Sequence, residues 1–226
     1  MSYLVFDTET TGVDIKGLPI NHHDQPYIVQ LAAVLFDDNW NVINELNYII
    51  KPDNWSVPTG VAAIHGIPTD KAEMYGAPVG LVLRLFLEMW DKASHIVGQN
   101  VGFDIRRVKR YYPDVNKTPF DKEPKVIFDT MHALRDEMQL PLTEKQQALV
   151  QRATRDGWLD KLRMEKYKNP NLTEGYQYLF GEKFDNAHTA TDDVKATARI
   201  TKELLSDHRE PNIMALRTME ECMEIS

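Results

Sequence analysis

Three apolar runs near the start of the chain have the composition of β-strands. The first, at residues 3–6, is a short run of aromatic and aliphatic side chains, and longer runs follow at residues 27–37 and 43–51. Between the two longer runs, residues 37–41 are mostly Asp and Asn, which favour a tight hairpin turn. The pattern predicts three strands in an antiparallel meander.

After residue 51, apolar positions recur mainly at the spacing of an α-helix. Residues 78–92 are predicted to form a core helix, whose broad apolar face consists of Val79, Val82, Leu83, Leu85, Phe86, Met89 and Trp90. Short helices are predicted at residues 57–67, 103–112, 130–138 and 172–180, and a last long helix at residues 189–205. Two short buried strands are predicted between these helices, at residues 95–100 and 125–129.

The order of these elements indicates an α/β fold class. Three strands followed by alternating helices and strands predict a mixed sheet, an antiparallel meander plus parallel strands, with helices packed over it. We assign residues 1–206 to this domain and residues 207–226 to a C-terminal linker and an amphipathic helix. That helix is expected to dock on the protein's own core, with docking on a partner as the alternative.

Two polar segments interrupt this pattern. Residues 12–26 are predicted to form a long loop, in which His22 and His23 are expected to be solvated rather than to bind a metal. Residues 143–168 are rich in helix formers and carry a small excess of basic residues. They are predicted to form a solvated helical hairpin, and guidance of a phosphate backbone is the alternative.

The composition narrows the classes of protein to consider. The chain has 226 residues, of which 42% are hydrophobic and 27% charged, as is typical of a folded globular domain. A single cysteine, Cys222, excludes an intramolecular disulfide and a zinc cluster of thiolates. The start lacks a signal-peptide pattern and no apolar run is long enough for a membrane span, so we expect a cytoplasmic protein that does not enter a membrane. The net charge of −8 argues against nucleic-acid binding by bulk electrostatics, but it allows a small local contact.

Carboxylates stand at the ends of two predicted strands. Asp7 and Glu9 come directly after the first strand, and side chains two apart on a strand share a face. Such carboxylates repel each other unless one is protonated or a cation lies between them, so we expect a divalent metal, with a solvated acidic turn as the alternative. Asp104 lies in the first turn of a helix after a buried strand, where helix capping is its alternative role.

The last long helix carries two neighbouring aspartates, which a helical wheel separates. Asp193 is predicted to face inward, because it aligns with Thr197, Ile200 and Leu204. Asp192 is predicted to face water, because it aligns with Ala196, Arg199 and Glu203. His188 precedes this helix.

These residues fall in three motifs that resemble those of the DEDDh 3′-to-5′ exonucleases, the DnaQ-like group with a ribonuclease-H-like fold. The motifs are Asp-x-Glu at residues 7–9, a motif with Asn, Phe and Asp at residues 100–104, and His-x-Ala-x-x-Asp at residues 188–193. Order and spacing agree, and with weaker matches at residues 57–67 and 128–130 the resemblance covers most of the chain. The sequence departs from the family at Gln99, where histidine is frequent, and in the long loop, which leaves substrate preference open.

The resemblance implies an enzyme that removes nucleotides from the 3′ end of single-stranded DNA and releases nucleoside 5′-monophosphates. It implies two divalent cations, Mg²⁺ or Mn²⁺, held by Asp7, Glu9, Asp104 and Asp193. His188 is then the general base, since an imidazole titrates close to neutral pH.

The resemblance also implies contacts to the 3′-terminal nucleotide. These are expected from Thr8, Thr10, Thr11, His65, Asn100 and Phe103. For His65 and Phe103, a histidine at a helix end and an aromatic residue of the core are the alternatives.

Two other functions remain open at this point. The same fold and site could serve an exoribonuclease or a scavenger of short oligonucleotides, because the motifs do not report contacts to a 2′-hydroxyl. A non-catalytic module that binds a polymerase or replication partner is the second alternative, although such a module has no reason to keep four carboxylates and the histidine. The sequence predicts no particular oligomeric state.

Overall fold

One mixed sheet forms the centre of the fold. The computed structural model describes residues 1–123, 125–159, 164–184, 189–206 and, for the backbone alone, 216–217. Within them the strands are β1 (Ser2–Thr10), β2 (Ile28–Asp37), β3 (Val42–Ile49), β4 (His95–Gly98), β5 (Val126–Asp129) and β6 (Leu216–Arg217). Their order across the sheet is β3-β2-β1-β4-β5-β6, in which β1, β4 and β5 are parallel and the other neighbours antiparallel. The predicted mixed sheet is confirmed.

Strand β1 is longer than the apolar run that predicted it. The run ends at Phe6, but β1 continues to Thr10 because β2 remains paired with it, with Asp7 opposite Ala32 and Glu9 opposite Gln30. The register shifts between Glu9 and Thr10, where the pairing ends. Both acids are therefore held on a paired strand at the centre of the sheet rather than in a turn.

Helices connect the strands and cover the sheet. In the described residues they are α1 (Thr59–His65), α2 (Thr69–Tyr75), α3 (Val79–Lys92), α4 (Val101–Lys109), α5 (Thr130–Met138), α6 (Glu144–Arg155), α7 (Leu172–Phe180) and α8 (Ala190–Leu204). The sequence pattern did not predict α2, although Pro68 before it and Gly76 after it are typical helix boundaries. A short 3₁₀ turn, Pro119–Asp121, precedes β5.

Alternate residues of β1 pack into two hydrophobic layers. Leu4 and Phe6 lie in the layer with Phe86 and Trp90 of α3, whereas Val5 lies in the layer with Val194 of α8. This follows from the alternation of side chains along a strand. The same alternation continues into the acidic part of β1 and decides which helix each polar side chain meets.

Residues 143–168 do not form the predicted helical hairpin in the described part of the chain. Helix α6 covers the first half, but residues 164–168 are not helical. They are tied instead to neighbouring elements: Lys168 donates its backbone N–H to Leu140 O (3.0 Å) and its ammonium to Glu174 of α7. Residues 160–163 lie outside the described residues.

The C-terminal segment also differs from the prediction where the structure describes it. Leu216 and Arg217 form a strand that pairs antiparallel with β5, so these two residues are not helical. The other residues of the predicted linker and amphipathic helix lie outside the described residues. Among the described helices, none is long and apolar enough to cross a membrane.

Candidate active site

Three carboxylates meet where β1 faces the start of α8. Asp7 and Glu9 continue the face of Val5, which packs against α8, and Asp193 lies in the first turn of that helix. One oxygen from each of Asp7, Glu9 and Asp193 lies within 4.8 Å of the others. The fold thus brings together acids from the first and third sequence motifs.

Asp104, from the second motif, is held from the other side of β1. Thr8 continues the face of Leu4 and Phe6, and donates to Oδ1 of Asp104 from its backbone N–H (3.0 Å) and its hydroxyl (2.5 Å). Asp104 is buried, with 3% of its surface exposed. These hydrogen bonds come from β1 rather than from the N–H groups of α4, so its position is not explained by helix capping.

The turn between β4 and α4 sets the position of Asp104. A side chain at Gly98 would place its Cβ 2.9 Å from Val101 Cβ and 3.2 Å from Phe6 O, so the turn needs a glycine. Asn100 adopts the left-handed conformation (φ 61°) and donates its N–H to Asp129 Oδ1 (2.9 Å). Asp129 also accepts from Met131 N (3.0 Å) as the N-cap of α5.

The start of α8 separates its two aspartates. Thr189 caps the helix: its hydroxyl accepts from Asp192 N (3.3 Å) and donates to Asp192 Oδ2 (2.9 Å). Asp193 meets Asp7 and Glu9, and the residues in line with it are buried. Asp192 was predicted to face water, but it is only partly exposed, and Ala196, in line with it, is 4% exposed, because this face of α8 is partly covered.

The carboxylates perturb one another's protonation. Burial and the charges of Asp104, Asp193 and Glu9 raise the pKa of Asp7 well above its ordinary value. Burial and the charges of Asp193 and Asp104 raise the pKa of Glu9 to about 7. Burial also raises the pKa of Asp104 to about 7, although the hydrogen bonds from Thr8 oppose this shift. Compensating positive charge is therefore expected to favour full ionisation of the group near neutral pH.

The donor set fits a hard divalent cation. Carboxylate oxygens are the ligands that Mg²⁺ and Mn²⁺ prefer, and the oxygens of Asp7, Glu9 and Asp193 are close enough to share one ion. Asp104 lies next to them with one oxygen bound to Thr8. A second group, His22, His23 and Asp24, also has possible ligand atoms within 4.8 Å of one another, but these are consecutive residues on the surface loop.

Removing divalent cations should make the stability of the folded protein depend on pH. Without a cation, Glu9 and Asp104 keep protons in the folded state up to about pH 7, whereas unfolded carboxyls release them near about pH 4. The folded state then binds more protons, so the free energy of unfolding falls as pH rises from about 4 to about 7. In chelator, the melting temperature at pH 8 should be at least about 2–4 °C below that at pH 5.5.

Magnesium should restore the lost stability mainly at pH 8. At that pH the carboxyl groups have lost their protons, and the cation neutralises the resulting charge. Glu9→Gln is the control, since it removes one of the titrating acids and should flatten the pH dependence in chelator. The same pH dependence in Glu9→Gln and wild type, or no effect of magnesium on melting at pH 8, would contradict this explanation.

The predicted substrate residues lie around this group in different environments. Thr8 and Thr10 are buried, and the Thr10 hydroxyl donates to Gly12 O (2.6 Å). Thr11 Oγ1 accepts from Tyr27 N (2.9 Å). These three hydroxyls hold the protein's own chain, so a nucleotide here would contact mainly the backbone.

His65 is buried at the end of α1 beside this strand. Ile67 N–H donates to its Nδ1 (3.2 Å), which places the proton of the neutral ring on Nε2. No partner for Nε2 is present among the described residues, and burial lowers the pKa of His65. His65 is therefore a neutral ring whose Nε2–H lies beside the Thr10 backbone without a well-formed hydrogen bond among the described residues.

Two further predicted residues belong to the second motif. The Asn100 side chain is exposed, and Phe103 is partly exposed, with the guanidinium carbon of Arg107 at 5.3 Å from its ring centre. Phe103 is thus not a fully buried core aromatic. Gln99, where the motif departs from the family, accepts from the Thr130 hydroxyl (2.6 Å) and donates to Pro170 O (2.9 Å).

His188, the predicted general base, lies outside the described residues. The structure places its neighbour in the motif, Asp193, in the carboxylate group, and describes the chain again from Thr189 onward. The role of His188 stays a prediction.

The loop after β1 is fixed by a network that the sequence pattern did not indicate. Asp14 accepts hydrogen bonds from two arginines of α4, Arg106 (2.7 Å from Nη2) and Arg107. Arg110 donates to the carbonyls of Gln25 (2.6 Å) and Pro26 (2.9 Å). The predicted loop is present, but it is bound to the helix that carries Asp104 rather than free in solvent. Charged residues distant in sequence gave no signal of this pairing.

Fold and site together define a class of protein. A mixed sheet with helices on both faces, and acids on its central strand opposite the start of a helix, is the arrangement of ribonuclease-H-like nucleases. The model of the exonuclease family named for RNase T matches residues 4–201. The chain therefore belongs to this exonuclease family, and the predicted family is confirmed.

Similar folds occur in solved structures of Escherichia coli Exonuclease I. Its complex with a dT13 oligonucleotide has a TM-score of 0.62 and 20% identity, covering 89% of this chain and 40% of that chain. The dA16 complex has a TM-score of 0.61 and 19% identity, with coverages of 94% and 42%. The zinc-bound complex with single-stranded DNA has a TM-score of 0.62 and 20% identity, again covering 94% and 42%.

The chain thus spans less than half the length of these structural neighbours, and at this identity they show the shared fold. A sequence comparison with curated proteins gives no match.

Proposed function

We propose that this protein hydrolyses phosphodiester bonds from the 3′ end of single-stranded DNA and releases nucleoside 5′-monophosphates. The observation that carries the proposal is the group of Asp7, Glu9 and Asp193, whose oxygens lie within 4.8 Å of one another, with Asp104 beside it. Membership of the exonuclease family and the binding of single-stranded DNA by structural neighbours support it.

The four carboxylates would hold two divalent cations, Mg²⁺ or Mn²⁺. When bound, such ions neutralise the acids and stabilise negative charge on the attacking and leaving oxygens of the phosphodiester. The chain's contribution is to hold the acids in place: β1 fixes Asp7 and Glu9, Thr8 fixes Asp104, and capped helix α8 fixes Asp193.

His188 would accept the proton of the attacking water. The proposal rests on its position in the third motif, five residues before Asp193. An imidazole is suited to this step near neutral pH, because it is basic enough to take a proton and is largely neutral before doing so.

The 3′-terminal nucleotide would lie over the backbone that follows Glu9. Thr10 and Thr11 shape this backbone through their bonds to Gly12 and Tyr27, and the Nε2–H of His65 would donate to the nucleotide. Asn100 and Phe103 lie at the start of α4, near Asp104, and would form the other side of the site.

Replacing His65 by Ala should weaken substrate binding more than chemistry. A single hydrogen bond contributes about 0.5–1.5 kcal/mol, so kcat/KM should fall about 2- to 13-fold, mainly through KM. His95→Ala is the matched control, because His95 is also partly buried but lies opposite Tyr3, at the other end of β1. Steady-state kinetics on a short DNA strand would measure both variants, and equal KM values for His65→Ala and wild type would contradict the contact.

A substrate panel tests the proposed function. Single-stranded and duplex forms of DNA and RNA, each of one sequence, should be incubated with the protein in Mg²⁺, in Mn²⁺ and in excess chelator. Single-stranded DNA should be shortened fastest, and chelator should abolish the reaction. Faster shortening of RNA would replace DNA by RNA as the substrate, and activity in chelator would remove the metal-dependent mechanism.

A further inference from the structure

Next to the carboxylate group, α7 and α8 enclose a groove of about 400 Å³. We call it the α7–α8 groove; it is lined by Tyr176, Lys183, Phe184, Asp192, Lys195, Ala196 and Arg199. We propose that this groove binds the single strand of nucleic acid on the 5′ side of the terminal nucleotide. The inference rests on the proposed function, since it describes how the rest of the same substrate is held.

The wall of the groove is an aromatic surface held in a fixed position. Tyr176 of α7 and Phe184 have ring centres 5.4 Å apart at an angle of 32°. The guanidinium carbon of Arg199 lies 4.0 Å from the centre of the Phe180 ring. Arg199 Nη1 also donates to the Tyr176 hydroxyl and to Glu182 Oε2 (2.8 Å). Arg199 is thus used within the protein to hold the wall and also lies over the Tyr176 ring (5.1 Å), so the partly exposed Phe184 is the ring of the lining on which a base would stack.

The rim of the groove carries two lysine side chains that can bind phosphates. Lys183 and Lys195 are exposed, and the described residues provide neither with an ion pair. Asp192 is the carboxylate of the lining, and its Oδ2 accepts from the Thr189 hydroxyl (2.9 Å). In a chain of net charge −8, two exposed lysines beside aromatic rings form the kind of local contact that single-stranded nucleic acid needs.

The distance between the groove and the carboxylate group determines which nucleotide, counted from the 3′ end, reaches the groove. Asp192 lies in the groove, and Asp193, the next residue, lies in the carboxylate group, so the two sites occupy different faces of one helix end. A helix with side chains is about 10–12 Å wide. At about 3.4 Å per stacked nucleotide, a strand reaches the groove about three or four nucleotides from its 3′ end.

This geometry predicts that the groove acts on long strands and not on the shortest ones. The test compares turnover of a thymidine dinucleotide and a 12-nucleotide thymidine strand in Mg²⁺ over a range of salt concentrations. The variants are Lys183→Ala/Lys195→Ala and Phe184→Leu. Lys145→Ala/Arg152→Ala is the matched control, because it removes the same charge from exposed α6.

The lysine variant should keep dinucleotide turnover within about twofold of wild type. On the 12-nucleotide strand, the slope of log kcat/KM against log salt should become shallower by about 1.4. Each of the two lost phosphate contacts contributes about 0.7 to this slope. Phe184→Leu should lose about 5- to 150-fold on the long strand, the range for one base stacked on an aromatic ring. The α6 control should behave as wild type on both substrates.

Wild-type kinetics of the groove variants on the long strand would overturn the proposal. So would an equal loss on both substrates, which would place the effect at the carboxylates, or an equal loss in the α6 control, which would show a general effect of charge. The proposed function is tested separately in the same experiment, because it fails if the wild type turns over neither substrate.

Discussion

Replacing Asp193 by Asn is expected to weaken divalent-cation binding and turnover together. The change keeps the size of the side chain but removes one negative charge from the group of Asp7, Glu9 and Asp193. Loss of even an indirect partner of a metal ligand lowers affinity about 10- to 100-fold, so a larger loss is expected for a carboxylate that contacts the ion. Activity measured against metal concentration should shift to higher concentrations, and excess Mn²⁺ should recover part of the rate.

Asp192→Asn is the matched control for this prediction. It makes the same chemical change one residue earlier, on the face of α8 that is turned away from Asp7 and Glu9. Its metal titration on a dinucleotide should resemble that of wild type. An inactive Asp192→Asn together with an active Asp193→Asn would contradict both the helical register and the assignment of the third motif.

Replacing His188 by Ala is expected to slow turnover about 10²- to 10⁴-fold, the range for loss of a general base. Metal affinity should change little, because the four carboxylates are intact. A calorimetric titration measures metal affinity and a single-turnover experiment measures the rate of the chemical step. His188→Ala should change only the rate, whereas Asp193→Asn should change both. Full activity of His188→Ala would remove the histidine from the mechanism.

The His188 rate should also recover with pH. If the histidine accepts a proton from water, the residual rate of His188→Ala should rise as hydroxide becomes available, whereas the wild-type rate should level off once the imidazole is neutral. Parallel pH profiles for the two proteins would contradict a role as general base.

The parts of the fold that the sequence predicts well are those with a strong local signal. The apolar face of residues 78–92 and the helical patterns of residues 130–138 and 172–180 depend on neighbouring residues, and the structure has helices at Val79–Lys92, Thr130–Met138 and Leu172–Phe180. The strands of the meander were predicted for the same reason. The length of β1 was not, because its last four residues are held by pairing with β2 rather than by their own composition.

The residues of the candidate site, too, were predicted where a local motif marks them and missed where a tertiary contact sets their role. Asp7, Glu9, Asp104 and Asp193 were recognised because the motifs place each acid at a strand or helix end, and the fold then brings them together. The partners of these acids could not be recognised in this way. The hydrogen bond from the Thr8 hydroxyl to Asp104 depends on which face of β1 meets α4. The hydrogen bond from Arg106 to Asp14 joins residues that are 92 positions apart in the sequence.

Residues 143–168 show how composition alone misleads. The many helix formers predicted a solvated helical hairpin, but Lys168 is bound to Leu140 and Glu174, and this fixes a non-helical segment between α6 and α7. The pairing of Leu216 with Phe128 is a further case, since Leu216 was predicted to lie in an amphipathic helix and joins the edge of a sheet instead. Both outcomes are set by tertiary contacts that no local pattern reports.

The most direct test of the central claim follows a single strand of DNA that is labelled at its 5′ end. With Mg²⁺, wild type should produce a ladder of labelled strands that shorten one nucleotide at a time, and nucleoside 5′-monophosphates should accumulate. Asp7→Asn should leave the strand intact under the same conditions. Immediate release of the label as a mononucleotide, or an unchanged ladder from Asp7→Asn, would contradict 3′-to-5′ hydrolysis by this carboxylate group.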